Sequence, residues 1–493
     1  MRHGTRFGLA LLLGSILAGP PAQAQSQITA EQAVALDGQV RDWARDLVGK
    51  LMDVAAIPLT ITAAGERYRV EMGLGKIPGV TATSSGPTSG FLRPLSGGRW
   101  AIEDFLLPSQ GEVVIDFGTT GMPAGKFSMA IGEQQSQFEF DPAFATPARG
   151  EVRLGRVVYV HDSGTGATTT RMARLLGESS VNPADGGLVN VASSSTMDGY
   201  ATEQPISAGM LLKYTVERIH SASRIDGVDW ARSAEVVRTG IALFNEIQAA
   251  MKMVPPPSTP TADQRAMMRA MLGAIGAMFT RAESEQTWSG LKFTAGDYSG
   301  DLAQVKMGVV IGAPDGNAEF RLRVAAEGFA SPMVPQGAMQ SLVPRRIVLA
   351  PRISGVPKET LVGYVARFID AAGSLEADPA GDAMQILADH PVTIGIDELL
   401  IDLGVARLGG TGQIQVASIG EMVGVAELRM TGIDPLIRLL GTTPETRMGV
   451  PFLVMLKGAG VSEGSETVWR IAYANGQTTV NGTDLATLIP GKR

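Results

Sequence analysis

From Ala318 to Ala326 the chain alternates without a break. Ala318, Phe320, Leu322, Val324 and Ala326 take one parity, and Glu319, Arg321, Arg323 and Ala325 take the other. Successive side chains of an extended chain point to opposite faces, so this spacing predicts a strand with one apolar and one charged face. Such a strand persists only if its neighbours repeat the pattern and something meets the apolar face.

The pattern does recur. Arg67–Met72 places Tyr68, Val70 and Met72 on one side, and further strands are expected at 112–117, 126–131, 137–140, 156–160 and 210–219. The last hundred residues add 393–396, 398–403, 412–417, 423–430, 453–457 and 468–474. Short Gly, Pro and Asp punctuation separates them, which favours hairpins and an antiparallel meander over βαβ crossovers. The 60 glycines fit many tight turns. Residues 163–204 are rich in Gly, Ser, Thr and Asn and read as loops or weak edge strands, with a short helical turn at Arg171–Leu176.

Helical spacing appears at Thr29–Asp53, through Leu36, Val40, Trp43, Leu47 and Leu51. It returns at Trp230–Met253, where Val237, Ile241, Phe244, Ile247 and Met251 form a stripe that Pro255–Pro257 stops. Thr261 and Gln264 then match a capping box, and Met267, Met271, Ile275 and Met278 continue a second helix, completing a helical hairpin. Further helices are expected from Pro357 to about Ala372, at Asp382–Asp389, and from Gly432 to Leu440. The expected class is α+β: large curved antiparallel sheets covered on one face by amphipathic helices. The expected division is residues 1–24 as a signal peptide, 25–215 as a helix with antiparallel strands, 216–290 as the helical hairpin, and 291–493 as a strand-rich domain.

The first residues read as a secretory signal. Arg2 and Arg6 supply the positive start, Phe7–Leu17 the apolar stretch, and Ala22-Gln23-Ala24 the cleavage site. The expected address is the periplasm of a Gram-negative cell, and the absence of cysteine suits that oxidising space. No later segment has the apolar length of a transmembrane helix, so none is expected in the mature chain. The net charge of −7 becomes two units more negative when Arg2 and Arg6 leave, and no basic stripe offers itself to phosphates. Nucleic acid is not an expected partner.

Catalytic signatures are thin. His161-Asp162-Ser163-Gly164-Thr165 resembles an aspartic-protease strand end, where two carboxylates share a proton. The nearest second copy, Asp116-Phe117-Gly118-Thr119, has Phe at the hydroxyl position. Ser289-Gly290-Leu291-Lys292 matches S-x-x-K without the downstream partners of that chemistry. His161, His220 and His390 are isolated, and Asp297 and Asp301 flank a hairpin turn that could hold a cation. No catalytic residue, metal site or cofactor is assigned. The candidate apolar-ligand residues are Phe244, Met251, Met267, Met271 and Met278, because unbranched thioethers adapt to varied apolar shapes.

The C-terminal region carries a resemblance. Pro344-Arg345-Arg346-Ile347, Ile353-Ser354-Gly355-Val356-Pro357, Gly410-Thr411-Gly412, Gly432-Ile433-Asp434-Pro435 and Gly476–Gly482 before Pro490 resemble a family of proteobacterial envelope proteins of unknown function. The layout is also similar to the AsmA-like envelope proteins. That likeness implies many-stranded sheets curled around apolar ligands and supplies no catalytic residue. The resulting expectation is a non-enzymatic periplasmic envelope protein that binds an apolar ligand such as a lipid, or an envelope protein partner. The alternatives are a hydrolase with an acidic site around Asp162 and a structural scaffold.

Overall fold

The computed structural model describes residues 27–48, 54–73, 80–115, 125–141, 146–162, 166–207, 209–251, 259–337, 339–371, 379–418, 421–442 and 444–488. The signal segment, Asp116–Thr119, Ser163–Thr165 and Pro255–Pro257 lie outside the described residues. The chain divides into two compact units, Met1–Thr280 and Arg281–Arg493. The fold is α+β, with strands that pair antiparallel in curved, unclosed sheet, as the alternation predicts.

In the first unit α1 (Ala30–Val48) precedes β1 (Leu59–Ala64), β2 (Arg67–Met72), β3 (Val80–Ser84), β4 (Thr88–Pro94), β5 (Trp100–Leu106) and β6 (Gln110–Ile115). Four long strands and one more follow as a meander: β7 (Gly125–Asp141), β8 (Thr146–Asp162), β9 (Ala167–Pro183), β10 (Val189–Ser207) and β11 (Met210–Val228). β7 is long enough to take two partners on one edge. β5 pairs with its C-terminal end, Trp100 opposite Phe140, and β6 with its N-terminal half, Gln110 opposite Ala130. Ala33, Leu36 and Val40 of α1 pack on Ile61, Tyr68, Val70, Trp100, Phe105 and Phe140. Arg41 fixes the helix by donating to the Leu59 carbonyl at 2.7 Å.

β9 and β10 correct the sequence reading of 163–204 as loops or weak edge strands with a helical turn at Arg171–Leu176: both are long strands paired on each side. The physical reason is a break in the alternation at one level across five strands, where a pair or two in each ladder is skipped without a change of register. Partners step from Ile131↔Val157 to Glu133↔Gly155, from Val157↔Met172 to Gly155↔Arg174, and from Tyr200↔Val216 to Asp198↔Arg218. The apolar face therefore runs 131 then 134, 157 then 154, 172 then 175, 200 then 197 and 216 then 219. A step of three inside a step of two breaks the alternation that sequence inspection seeks. Gly199, at φ 60°, lies on this line, and a Cβ there would meet the Ala173 Cβ at 2.9 Å.

The helical hairpin belongs to this unit. α2 (Trp230–Met251) and α3 (Ala262–Ala277) pack on each other. The capping box forms as predicted, with the Gln264 N–H donating to Thr261 Oγ1 at 3.2 Å and the Thr261 N–H to Gln264 Oε1 at 2.9 Å. The hairpin's root is held by Trp230 and Phe279 against Val181, Val189 and Val228.

The second unit is a meander of β12 (Arg281–Ala295), β13 (Tyr298–Gly312), β14 (Asn317–Ala330), β15 (Arg346–Pro357), β16 (Val392–Asp402), β17 (Arg407–Ser418) and β18 (Glu421–Thr431). α4 (Lys358–Ala371) and α5 (Pro379–Asp389) lie between β15 and β16; α6 (Ile433–Leu440), a single turn at Pro444–Arg447 and α7 (Val450–Ala459) follow β18. β19 (Val461–Glu463), β20 (Glu466–Ala474) and β21 (Gln477–Val480) come next: β20 pairs with β18 on one edge and with β19 and β21 on the other. Residues 453–457, expected as a strand, are helix in α7. A short continuous apolar run fits either state, and Pro451 in the first turn with Leu453 and Leu456 on one side decides for helix.

Candidate functional site

The second unit's sheet has two unlike faces. On one, Ile311, Phe320, Ile353, Ile394 and Ile414 stand directly opposite one another from β13 to β17. Two residues along lie Val309, Leu322, Pro351, Ile396 and Gly412, and beyond them Met307, Val324, Leu349, Leu399 and Gly410. A fourth row is Val305, Ala326, Ile347, Ile401 and Leu408. A bulge at Asp397 and Glu398 keeps β16 in phase, so that Ile396 and Leu399 share the face. These four rows on five strands hold no polar side chain.

The rows are not a closed core. Ile311, Phe320, Ile347, Leu349, Ile353, Ile394 and Ile396 are each more than a third exposed, Ile353 at 48%. At the usual strand spacing and rise the patch measures about 20 Å by 20 Å, on the order of 400 Å². That is the size of the largest apolar patch on an ordinary monomer, which is often functional.

The opposite face carries charge pairs around a small buried apolar cluster of Ala325, Val348 and Leu400. Arg323 meets Glu398 at 2.9 Å, Arg346 meets Glu327 at 3.1 Å and Arg352 meets Asp397 at 3.4 Å. Farther along, Glu427 lies between Arg429 and Arg470, and the Arg429 hydrogen bond holds its carboxyl below the ordinary glutamate value. At the far end of the apolar face, α6 and α7 cover Leu408, Leu428, Met430, Trp469 and Ile471. The third row continues beneath them, because Gly410 faces Leu428 and Leu428 faces Trp469. A Cβ at Gly410 would meet Leu428 Cδ2 at 2.5 Å, so glycine lets the leucine lie across the strand.

The predicted apolar-ligand residues sit elsewhere. Phe244 projects from α2 and is exposed; Met251 ends α2, its side chain outside the described residues. Met267 and Met271 are half-buried on α3, and Met278 is half-buried just past it. Met271 lies over Gly240 of α2, so this part of the stripe packs helix on helix. The open sheet face was not singled out, although Phe320, Leu322 and Val324 carried its signal. The signal was the repetition of that alternation on β13, β15 and β16, not any one strand.

The remaining candidates are scattered. Asp162 ends β8 opposite Lys126 and Ala167. Ser289 and Lys292 lie on β12, about 10 Å apart in an extended chain, whereas S-x-x-K chemistry needs one helical turn. His161 stacks on Phe127 at 4.5 Å, His220 Nδ1 lies 3.2 Å from Thr196 Oγ1, and His390 Nε2 lies 3.5 Å from Thr360 Oγ1. Asp297 and Asp301 flank the β12–β13 turn, and among the described residues no group of three His, Asp or Glu could hold a metal. An open depression of about 640 Å³ lies on the polar face of β7–β9, lined by Glu133, Glu151, Arg153, Arg174 and Glu178. Its charged walls do not suit an apolar ligand. No described helix is long and apolar enough to cross a membrane.

Comparison of the chain with protein-family models, with curated proteins and with solved structures gives no match.

Proposed function

We propose that this chain is a non-enzymatic envelope protein of the periplasm that holds the acyl chain of a lipid along the open sheet face of its second unit. The observation that carries the reading is the set of four rows on five strands without a polar side chain, seven of whose residues are more than a third exposed. An acyl chain has no hydrogen bonds to satisfy, and this face offers none. Burial of each CH₂ contributes about 0.8 kcal/mol, so about fifteen methylenes contribute about 12 kcal/mol, which leaves micromolar binding after about 4 kcal/mol for association. The secretory features of the N-terminal residues support a periplasmic address.

Native mass spectrometry of protein purified gently from periplasm, with solvent extraction of anything bound, tests the reading. The expected result is a stoichiometric lipid that the double substitution Leu349→Asp with Ile394→Asp removes. A clean apo mass together with no binding of an added fatty acid sinks it and moves the weight to a scaffold that docks protein.

A further inference from the structure

α7 carries an apolar sequence in an exposed position. Its residues, Val450-Pro451-Phe452-Leu453-Val454-Met455-Leu456-Lys457-Gly458-Ala459, are apolar around the whole circumference apart from Lys457. Leu453 and Leu456 face inward onto the cluster around Trp469. Phe452, Val454 and Met455 face outward at 59%, 53% and 40% exposure, and Met448 in the preceding loop is 89% exposed. A helix apolar on all sides is ordinarily buried in a core or in a membrane.

We infer that α7 and the Met448 loop form a membrane-interface anchor, seating this end of the apolar face on a phospholipid bilayer. The inference rests on the lipid reading above and names where the lipid enters. Three observations select a bilayer as occupant. Ten residues make a helix of about 15 Å, too short to span but long enough to lie in the headgroup boundary. The outward arc from Met448 to Met455 offers no polar side chain with which a protein rim would hydrogen-bond. The cations beside it suit phosphate headgroups: Arg438 and Arg447 are both exposed.

Continuity with the ligand face supplies the purpose. The row Leu349, Leu399, Gly410, Leu428, Trp469 runs under α7, and the Trp469 indole N–H donates to the Leu456 carbonyl at 2.8 Å. The same row of apolar residues thus joins the open rows to the packing beneath α7.

The test is flotation of the full-length mature protein with vesicles of phosphatidylethanolamine and phosphatidylglycerol. The wild type is expected to float, and Phe452→Asp with Met455→Asp to reduce the bound fraction by about tenfold or more. Both side chains are exposed, so thermal melting and fatty-acid binding in solution stay unchanged. The inference is overturned if the variant floats like the wild type, if the wild type does not float while still binding fatty acid, or if the patch proves to be a self-contact, seen as a concentration-dependent dimer that the double substitution abolishes. Loss of fatty-acid binding in the wild type strikes the lipid reading itself and removes the anchor's purpose with it.

Discussion

The two units build the same kind of sheet and finish it differently. In each, an apolar face backs onto a face of paired charges. In each, a line of skipped pairs crosses neighbouring strands and carries a left-handed glycine beside an alanine: Gly199 against Ala173 in the first unit, Gly328 against Ala303 in the second. The first unit then buries its apolar face. Val157 and Phe140 are wholly inaccessible, Val216 nearly so, α1 lies over one end, and Gln134 clamps the β5–β6 connection through both the N–H and the carbonyl of Leu107. The second unit leaves Ile311, Phe320, Ile353 and Ile394 half in solvent. A buried face is already satisfied and contributes stability. An exposed one is unsatisfied, and the proposed binding draws on it.

The largest expected effect separates the two roles by stability. Phe140→Ala removes a fully buried ring from the first unit and is expected to cost about 3–5 kcal/mol. Ile353→Ala, on the open face, is expected to cost about 1 kcal/mol. Urea denaturation midpoints of the two variants check this. Equal losses mean that the second face is covered in solution, and the contrast between the units breaks.

Binding gives the next largest effect, with the sides reversed. Leu349→Asp with Ile394→Asp is expected to weaken a fluorescent fatty acid by about tenfold or more, while Arg323→Ala on the charged face leaves it unchanged. Fluorescence titration reads both. A variant of the charged face that weakens binding as much removes the assignment of roles to faces.

Much of this architecture was legible in the sequence, because a single amphipathic strand such as 318–326 fixes which side must be covered. Local chemistry was legible too: the Thr261–Gln264 box caps α3, and Pro357 marks the entry to α4. What failed was whatever depended on an interruption. The break in alternation across β7–β11 hid two long strands, and the bulge at Asp397 made β16 look like two. The apolar run in α7 suited either period. The open face escaped because exposure is a property of what fails to cover a surface, and no residue on β13–β17 records that by itself. The methionines of the hairpin drew notice instead, since a stripe on one helix is local.

The smallest expected effect compares the charged faces. Each holds a carboxylate between two arginines: Asp198 between Arg218 and Arg174, and Glu427 between Arg429 and Arg470. Hydrogen bonds from Arg218, then Arg174, hold the Asp198 carboxyl below the ordinary aspartate value. A depressed folded value means the unfolded chain takes up the proton first as pH falls. The stabilisation is thus complete above about pH 4 and lost on acidification below it. With both arginines more than half exposed, it amounts to at most about 1 kcal/mol. Asp198→Asn should therefore lower stability slightly at neutral pH and flatten the acid side of the stability profile. Glu427→Gln should do less, because Glu427 is 37% exposed and Asp198 18%. Urea midpoints from pH 3 to pH 7 for the wild type and both variants decide it; a larger change for Glu427→Gln reverses the ranking, and makes the second unit's charged face the better ordered of the two.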